Sequence, residues 1–357
     1  MPTWGELLRE LGGLKKDAER NPPDTSSGVT PPSPFDILRR KYLAKLANHT
    51  GRATITYATA FTEVRDQDAR LLQIELGDMA GFMEACSNLG GRNLDLLLHS
   101  PGGDAQAAES IVEYLRTQFD NIRVIVPLAA MSAATMIALS SDTIVMGAHS
   151  QLGPIDPQFT IATPEGPRSA PGQAILDQFE QARDECKDDP GKLPAWLPIL
   201  RSYSPGLLTL CEHQRQLAET LVSQWLAKYM FAPEGDQAEA HAREVAAWFA
   251  DFKEFLSHAR RVGIDEVRER GLRVIALEDQ PELQDAVLSA HHAMMLSFGQ
   301  TPTSKIVENN EGRTWLKFQP AIQLVPGGPV PPGGAPAPAA PPAGNRAARR
   351  RAARGRS

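Results

Sequence analysis

Cysteine is scarce in this chain. Only Cys86, Cys186 and Cys211 occur among 357 residues, and they lie far apart. Small disulfide scaffolds need many cysteines, and thiolate metal sites need closely spaced ones, so both classes are excluded. We expect three free thiols in a reducing compartment and place the protein in the cytoplasm, at most peripheral to a membrane.

Long apolar runs are also lacking. No stretch approaches the ~18 consecutive apolar residues of a membrane-spanning helix. Residues 1–20 carry charges throughout and have no apolar core of a signal peptide, so we expect none. The sequence therefore predicts a soluble protein with enough apolar residues, 42%, for a large core.

Motifs for cofactors and metals are missing as well. There is no glycine fingerprint for dinucleotide binding. The adjacent His291 and His292 cannot face one ion from a helix, and no carboxylate lies at ligand spacing. We expect no metal and no cofactor.

The central stretch, residues 94–158, has the clearest periodicity. A short apolar run, Leu94 to His99, ends in Ser-Pro-Gly-Gly, which is typical of a buried parallel strand. Apolar residues then recur at helical spacing from Ala105 to Phe119, and a β-branched run follows from Ile122 to Leu128. The pattern predicts a strand–helix–strand unit with a right-handed crossover.

Ser132 begins a second apolar helix, predicted over Ser132 to Ser141 and followed by a strand over Thr143 to Met146. At such a turn backbone N–H groups converge and the helix dipole favours negative charge. The N–H groups of Gly102 and Gly103 can approach the same point, because glycine has no Cβ. A serine with convergent N–H donors suits acyl transfer. The alternatives are a helix-capping or packing serine and an ordinary glycine turn.

Three segments carry a family resemblance: SPGG at 100–103, MSAATM at 131–136 and GPIDPQ at 153–158. Together they resemble the ClpP/crotonase superfamily, and within it the serine dehydrogenase proteinases, which are related to signal peptide peptidase A. The resemblance extends over most of residues 35–312 and is most specific in the central stretch. It implies an α/β fold of stacked βαβ units with helical decorations, and the activity of an intracellular serine peptidase.

The resemblance also implies roles for residues. Ser132 matches the nucleophile, and Gly102, Gly103 and Ala133 match the stretches that supply oxyanion N–H donors. Relatives often have glycine after the serine. Ala133 still supplies an N–H but restricts the backbone, so the shape of the oxyanion hole is expected to differ slightly.

The general base is less well specified. The histidine of Clp proteolytic subunits aligns with Ile155, whereas the signal-peptide-peptidase branch uses a lysine from a later segment. A lysine can act as a base if burial lowers its pKa. Lys228 is our first choice, His258 the rival and Lys192 a third option. Lys228 is equally compatible with a surface lysine on an amphipathic helix.

Two other functional classes remain open. A crotonase-type enzyme acting on acyl-CoA would share the oxyanion chemistry, but the glutamate expected near the second turn is missing. If the site has no base, the protein would instead be a peptide-binding scaffold that associates with a membrane through a stomatin-like partner. The resemblance further implies a peptide or protein substrate and a homo-oligomer. Nucleic acid is not expected.

The two ends of the chain differ in composition from the centre. Residues 1–32 are predicted to form a short amphipathic helix, suited to docking on a partner or on the body, and a Pro/Ser linker. Residues 33–319 form the predicted peptidase domain. Residues 320–357 are rich in Pro, Ala and Gly with six arginines and no acid, which predicts a disordered tail.

Several elements around the centre are also predicted. Ser33 and Pro34 begin a basic helix whose charges, Arg39 and Arg40 among them, we interpret as a solvated face. The remaining predictions are a strand over 52–60 that opens the sheet, a short strand and helix start within 71–81, a loop over 160–170, helices over 171–187, 207–231 and 284–298, and a Pro-rich connection over 188–198 that lines or covers the site.

Overall fold

The computed structural model describes residues 3–22, 31–63, 69–163 and 166–319. Contacts group the chain as far as Gln319 into one compact unit. Most of the predicted linker, residues 23–30, and all of the predicted tail, 320–357, lie outside the described residues.

A seven-stranded sheet runs through the centre of the described structure, in the order β11-β10-β1-β2-β3-β5-β9. Its five strands from β1 to β9 are parallel, and β10 and β11 are antiparallel. The small pairs β4–β6 and β7–β8 lie outside this sheet. The described strands are β1 (Ala53–Thr59), β2 (Asn93–His99), β3 (Asn121–Val126), β4 (Ala129–Ala130), β5 (Thr143–Met146), β6 (Gln151–Leu152), β7 (Gln158–Thr163), β8 (Gly166–Pro171), β9 (Val274–Ala276), β10 (Thr303–Asn309) and β11 (Thr314–Phe318).

Helices cover both faces of the sheet and give it two apolar cores, one per face. The α/β class predicted from the sequence is therefore confirmed. The described α-helices are α1 (Trp4–Arg20), α2 (Pro34–Thr50), α3 (Met79–Cys86), α4 (Ala105–Gln118), α5 (Ala133–Leu139), α6 (Gly172–Asp188), α7 (Leu193–Leu200), α8 (Leu207–Lys228), α9 (Ala238–Ala250), α10 (Phe252–Phe255), α11 (Ile264–Glu269) and α12 (Pro281–Gln300).

The predicted βαβ unit is present as β2, α4 and β3, followed by α5 and β5. Strands β2, β3 and β5 pair in parallel, and nearly all of their residues are buried or half-buried. Parallel strands with helices on both faces read as continuous apolar runs, which is why this part of the fold is visible in the sequence.

The N-terminal helix α1 docks on the body. Leu7 and Leu11 are buried on it, and α1 contacts α2 and α12. The helix start predicted at Ser33 and Pro34 is also confirmed. The Ser33 side chain accepts a hydrogen bond from the N–H of Asp36, and Pro34 is the first helical residue.

Three local predictions were wrong. Strand β1 lies inside the sheet between β10 and β2 rather than opening it. In the segment 71–81 the predicted helix start is confirmed by α3, which begins at Met79, but the predicted strand is replaced by a single bridge from Ile74 to Gly103 between two 3₁₀ turns. Residues 158–163 and 166–171 pair as the antiparallel strands β7 and β8 where a loop was predicted, because Phe159, Thr160 and Ile161 favour extended backbone and find a partner strand.

The sequence predicts that the charges of the basic helix α2 form a solvated face. The structure contradicts this prediction for one of them. Arg39 is 2% exposed, and its Nε lies 2.7 Å from Oε2 of the fully buried Glu308 on β10. Its guanidinium also donates to Ser297 and Asp36. The rigid guanidinium of Arg39 has three acceptors, and these hydrogen bonds offset the free-energy cost of burying its charge. The local sequence does not reveal these partners, because two of them lie far away in the chain.

Among the described residues, no helix combines the length and the apolar character that crossing a bilayer requires.

We predict that His99 makes the stability of the protein acid-sensitive. Burial lowers the pKa of His99 from 6.5 to about 3. Between these values the unfolded chain binds a proton that the folded protein does not, so stability falls as the pH falls through this window. His99→Phe should make the dependence of the unfolding free energy on pH between 7 and 5 shallower by up to about 1.4 kcal/mol per pH unit.

Denaturant titrations at several pH values measure this slope. Exposed His213 provides the control, since His213→Phe should leave the slope as in the wild type. An unchanged slope in His99→Phe would contradict the prediction.

Candidate active site

Ser132 has an unusual backbone conformation, with φ 52° and ψ −122°, immediately before α5. A residue with a Cβ rarely adopts positive φ, and such strain persists where the surrounding structure imposes it, often at functional sites. The Ser132 side chain makes no capping hydrogen bond to the helix. The helix-capping alternative is therefore not realised, and the hydroxyl is left for another role.

The glycine turn after β2 lies directly against this residue. Gly102 has φ +92°, and a Cβ built on it would lie 2.4 Å from the Met131 carbonyl oxygen and 2.6 Å from the Ser132 Cβ. The N–H of Gly102 donates to Ser100 Oγ at 3.2 Å. Only glycine allows these two turns to approach so closely.

Gly103 forms a parallel bridge with Ile74. The Ile74 N–H donates to the Gly102 carbonyl at 2.7 Å, and the Asp104 N–H donates to the Ile74 carbonyl at 2.9 Å. In a parallel bridge of this kind, the residue between the two bonded peptides, here Gly103, directs its own N–H away from the partner, here Ile74. The turn that contains Ser132 and Ala133 packs against the neighbouring Gly102, and the N–H of Ala133 is the first of α5.

A cavity of about 650 Å³ opens over this junction. Its lining includes Ser132, Gly103 and Ala133 together with His258, and among the described residues Asp104 is the other ionisable one. The further polar side chains in the lining are those of Gln73, Gln158, Ser169 and Gln214. The apolar part of the lining consists of Pro101, Ala105, Met136, Ile155, Pro157, Phe159, Leu210 and Ala218. The cavity thus combines a hydroxyl, an imidazole and apolar surface.

His258 is paired with a carboxylate that the sequence analysis did not select. Its Nδ1 lies 2.8 Å from Oδ1 of Asp156, whose side chain is 3% exposed, while His258 is 26% exposed. The other carboxylate oxygen accepts from Gln158 Nε2 at 2.7 Å. Because a carboxylate only accepts, Nδ1 carries the hydrogen and Nε2 is free to accept a proton.

Three hydrogen bonds hold the segments that carry Asp156 and His258 beside the Ser132 turn. The hydroxyl of Thr135, on α5, accepts from the Gly153 N–H at 3.0 Å. Leu152 and Val262 exchange backbone hydrogen bonds, which brings the loop of His258 beside the segment that contains Asp156. No hydrogen bond joins Ser132 to His258 within the described structure; the two side chains share the cavity.

The other candidate bases lie elsewhere. Lys228 is exposed at the end of α8, with Nζ 5.2 Å from the Tyr229 ring centroid, and lines a separate cavity of about 770 Å³ that does not include Ser132. Lys192 pairs with Glu185 at 3.6 Å. The Pro-rich connection 188–198 contributes no residue to the lining of the Ser132 cavity.

Asp156 is the functional candidate that sequence reasoning missed. It lies in the GPIDPQ segment that carried part of the resemblance, one residue after Ile155, the position aligned with the Clp histidine. The available signal was a lone carboxylate between apolar and proline residues in an otherwise buried stretch. Its histidine partner lies 102 residues further along the chain, so no local pattern connects them.

Comparisons with known proteins show what part of this chain is similar to. The model of the ClpP-like SDH-type serine proteinases matches residues 85–190. Two uncharacterized proteins of Methanocaldococcus jannaschii are 41% and 33% identical over 96 residues, which is 27% of this chain in each case. The chain spans only 31% and 30% of the length of these relatives.

Solved structures give more distant matches. A serine-to-alanine mutant of the 1510-N membrane-bound stomatin-specific protease is 17% identical, with a TM-score of 0.34, covering 60% of this chain and 79% of that one. A lysine-to-alanine mutant of the same protease, in complex with a substrate peptide, is 19% identical with a TM-score of 0.34, covering 59% and 74%.

We predict that Gly102→Ala destabilises the protein much more than Gly91→Ala. The two glycines have nearly the same φ, +92° and +93°, but a Cβ on Gly91 meets no atom within 4 Å. Gly91→Ala should cost only the strain of positive φ, about 1–2 kcal/mol. Gly102→Ala should cost about 1–3 kcal/mol more, because its Cβ overlaps the Ser132 turn.

Equilibrium unfolding of both variants measures the difference. Equal losses would show that the two turns separate easily and that their close approach is not a constraint of the fold.

Proposed function

We propose that the protein is a serine peptidase with Ser132 as nucleophile and His258 as general base. The match of residues 85–190 to the model of the ClpP-like SDH-type serine proteinases supports the peptidase activity. The observation that carries the proposal is that His258, which is paired with the buried Asp156, lines the same cavity as Ser132. A serine hydroxyl is a weak nucleophile without such a base.

In the proposed reaction, Ser132 Oγ attacks the carbonyl carbon of a peptide bond while His258 Nε2 takes the hydroxyl proton. Asp156 holds the imidazole in the required tautomer and stabilises its protonated form. The tetrahedral intermediate collapses as His258 returns the proton to the leaving amine. Water, activated by the same imidazole, then hydrolyses the acyl-enzyme and regenerates Ser132.

The oxyanion of the intermediate is proposed to lie between the N–H groups of Gly103 and Ala133. The direction of the Gly103 N–H, away from Ile74, and the position of Ala133 at the N-terminus of α5 support this assignment. Gly102 contributes by its lack of a side chain, since its own N–H is bound by Ser100.

A histidine base takes precedence over the lysine that the resemblance suggested. Lys228 is exposed and lines another cavity, so it does not lie beside Ser132. The apolar lining by Met136, Ile155 and Phe159 supports a peptide substrate with an apolar side chain near the cleaved bond. A homo-oligomer and a membrane-protein partner stay predictions of the resemblance.

Covalent labelling tests the nucleophile. A fluorophosphonate probe should add one adduct to the wild type and none to Ser132→Ala, as measured by intact mass. His258→Ala should slow labelling by about 10²-fold or more, the scale of general base catalysis. Lys228→Ala should label at the rate of the wild type.

The pattern of labelling separates the alternatives. Slow labelling of Lys228→Ala together with normal labelling of His258→Ala would identify Lys228, and not His258, as the general base. A folded wild type without an adduct would refute the peptidase and favour the peptide-binding scaffold.

Replacement of Asp156 tests the pair. Asp156→Asn should reduce the labelling rate about 10²- to 10⁴-fold, because an amide no longer selects the tautomer with a free Nε2. The control is a second histidine–carboxylate pair, His241 with Glu234 at 2.9 Å, which lies outside the cavity. Glu234→Gln should label normally. A normal rate in Asp156→Asn would remove Asp156 from the mechanism.

A further inference from the structure

A buried ion pair lies beneath the glycine turn, apart from the residues of the proposed reaction. Lys305 on β10 and Asp78 are both fully buried, and Lys305 Nζ lies 2.8 Å and 2.9 Å from the two carboxylate oxygens. The Tyr57 hydroxyl donates to the same carboxylate at 2.7 Å. Buried charges are weak evidence of stabilisation on their own, so their remaining contacts matter.

Those remaining contacts go to one short backbone segment, residues 73–75. Lys305 Nζ donates to the Gln73 carbonyl at 2.6 Å, and Asp78 Oδ2 accepts from the Glu75 N–H at 3.1 Å. Both ends of segment 73–75 are thus bound by the ion pair. Its middle residue, Ile74, makes the two hydrogen bonds that flank Gly103.

We propose that Lys305 and Asp78 are positioning residues that aim the Gly103 N–H at the oxyanion by holding segment 73–75 in place. The proposal rests on the proposed function, in which that N–H stabilises the tetrahedral intermediate. An oxyanion donor is effective only when its direction is fixed before the reaction. Since the Ile74 bonds fix the peptides on both sides of Gly103, whatever holds Ile74 also holds this direction.

The close packing of segment 73–75 against the turn supports this coupling. A Cβ on Gly103 would lie 2.4 Å from both the nitrogen and the oxygen of Ile74. A displacement of Ile74 is therefore transmitted directly to the glycine backbone, with no side chain between them to absorb it.

Tyr57 provides a second connection to the same turn. Burial raises the pKa of Tyr57 well above its ordinary value, the Asp78 carboxylate adds to the rise, and hydrogen bonding with the Ser100 side chain acts in the opposite direction. Ser100 Oγ in turn accepts from the Gly102 N–H. The ion pair is thus connected to the glycine turn at two places: to Gly103 through Ile74, and to Gly102 through Tyr57 and Ser100.

The same strand offers a matched control. Arg39 pairs with Glu308 of β10, only three residues from Lys305, and both of these side chains are also buried. The contacts of Arg39 are with Asp36, Ser297 and Glu308, and none of these residues lies in segment 73–75. Arg39→Gln and Lys305→Gln therefore each remove one buried cation from the same region, but only the second releases segment 73–75.

The experiment combines two measurements on the folded full chain. Hydrogen exchange followed by mass spectrometry reports protection of the peptide that covers residues 100–106, and labelling kinetics with the fluorophosphonate give the maximal rate and the probe affinity. Lys305→Gln should lose protection and label at least about tenfold more slowly, with affinity within about threefold of the wild type. Arg39→Gln should match the wild type in both measurements. If Lys305→Gln does not fold, Tyr57→Phe should show the same changes at smaller amplitude.

Normal protection or a normal maximal labelling rate in the folded Lys305 or Tyr57 variant would overturn the proposal, as would equal losses in Arg39→Gln. If the wild type itself is not labelled, the proposed function fails, and hydrogen exchange alone then decides whether the ion pair holds the turn.

Discussion

The close approach of two backbone turns is the constraint on which the rest of this site depends. Gly102 lies so near Met131 and Ser132 that no Cβ fits between them, and Ser132 itself is held at positive φ. Each turn is thus shaped by the other. The two turns keep their relative position because neither backbone can relax without displacing its neighbour.

The parallel sheet explains why these turns meet. The Ser-Pro-Gly-Gly turn follows β2, and the Ser132 turn follows β3 and the short β4, so both lie at the carboxyl ends of neighbouring strands. Open α/β sheets bind ligands at that edge. The loops of Asp156 and His258 are joined to it through Thr135 and the Leu152–Val262 bridge, which brings His258 to the same cavity as Ser132.

The buried charges of the molecule have different partners and different consequences. Arg39 and Glu308 connect α2 to β10, whereas Lys305 and Asp78 connect β10 to the backbone beside the glycine turn. A buried pair is often no more stabilising than apolar residues would be. Its directional hydrogen bonds can fix a backbone segment in a way that apolar packing does not.

The sequence by itself determined the βαβ unit, the turn at Ser132 and the glycine pair, because each depends on neighbouring residues and on burial of continuous strands. It did not determine the base. The resemblance favours Lys228, yet α8 places it at another cavity, and the pairing of His258 with Asp156 spans 102 residues. The hairpin β7–β8 and the burial of Arg39 were missed for the same reason. Only the tertiary structure decides which distant partners meet.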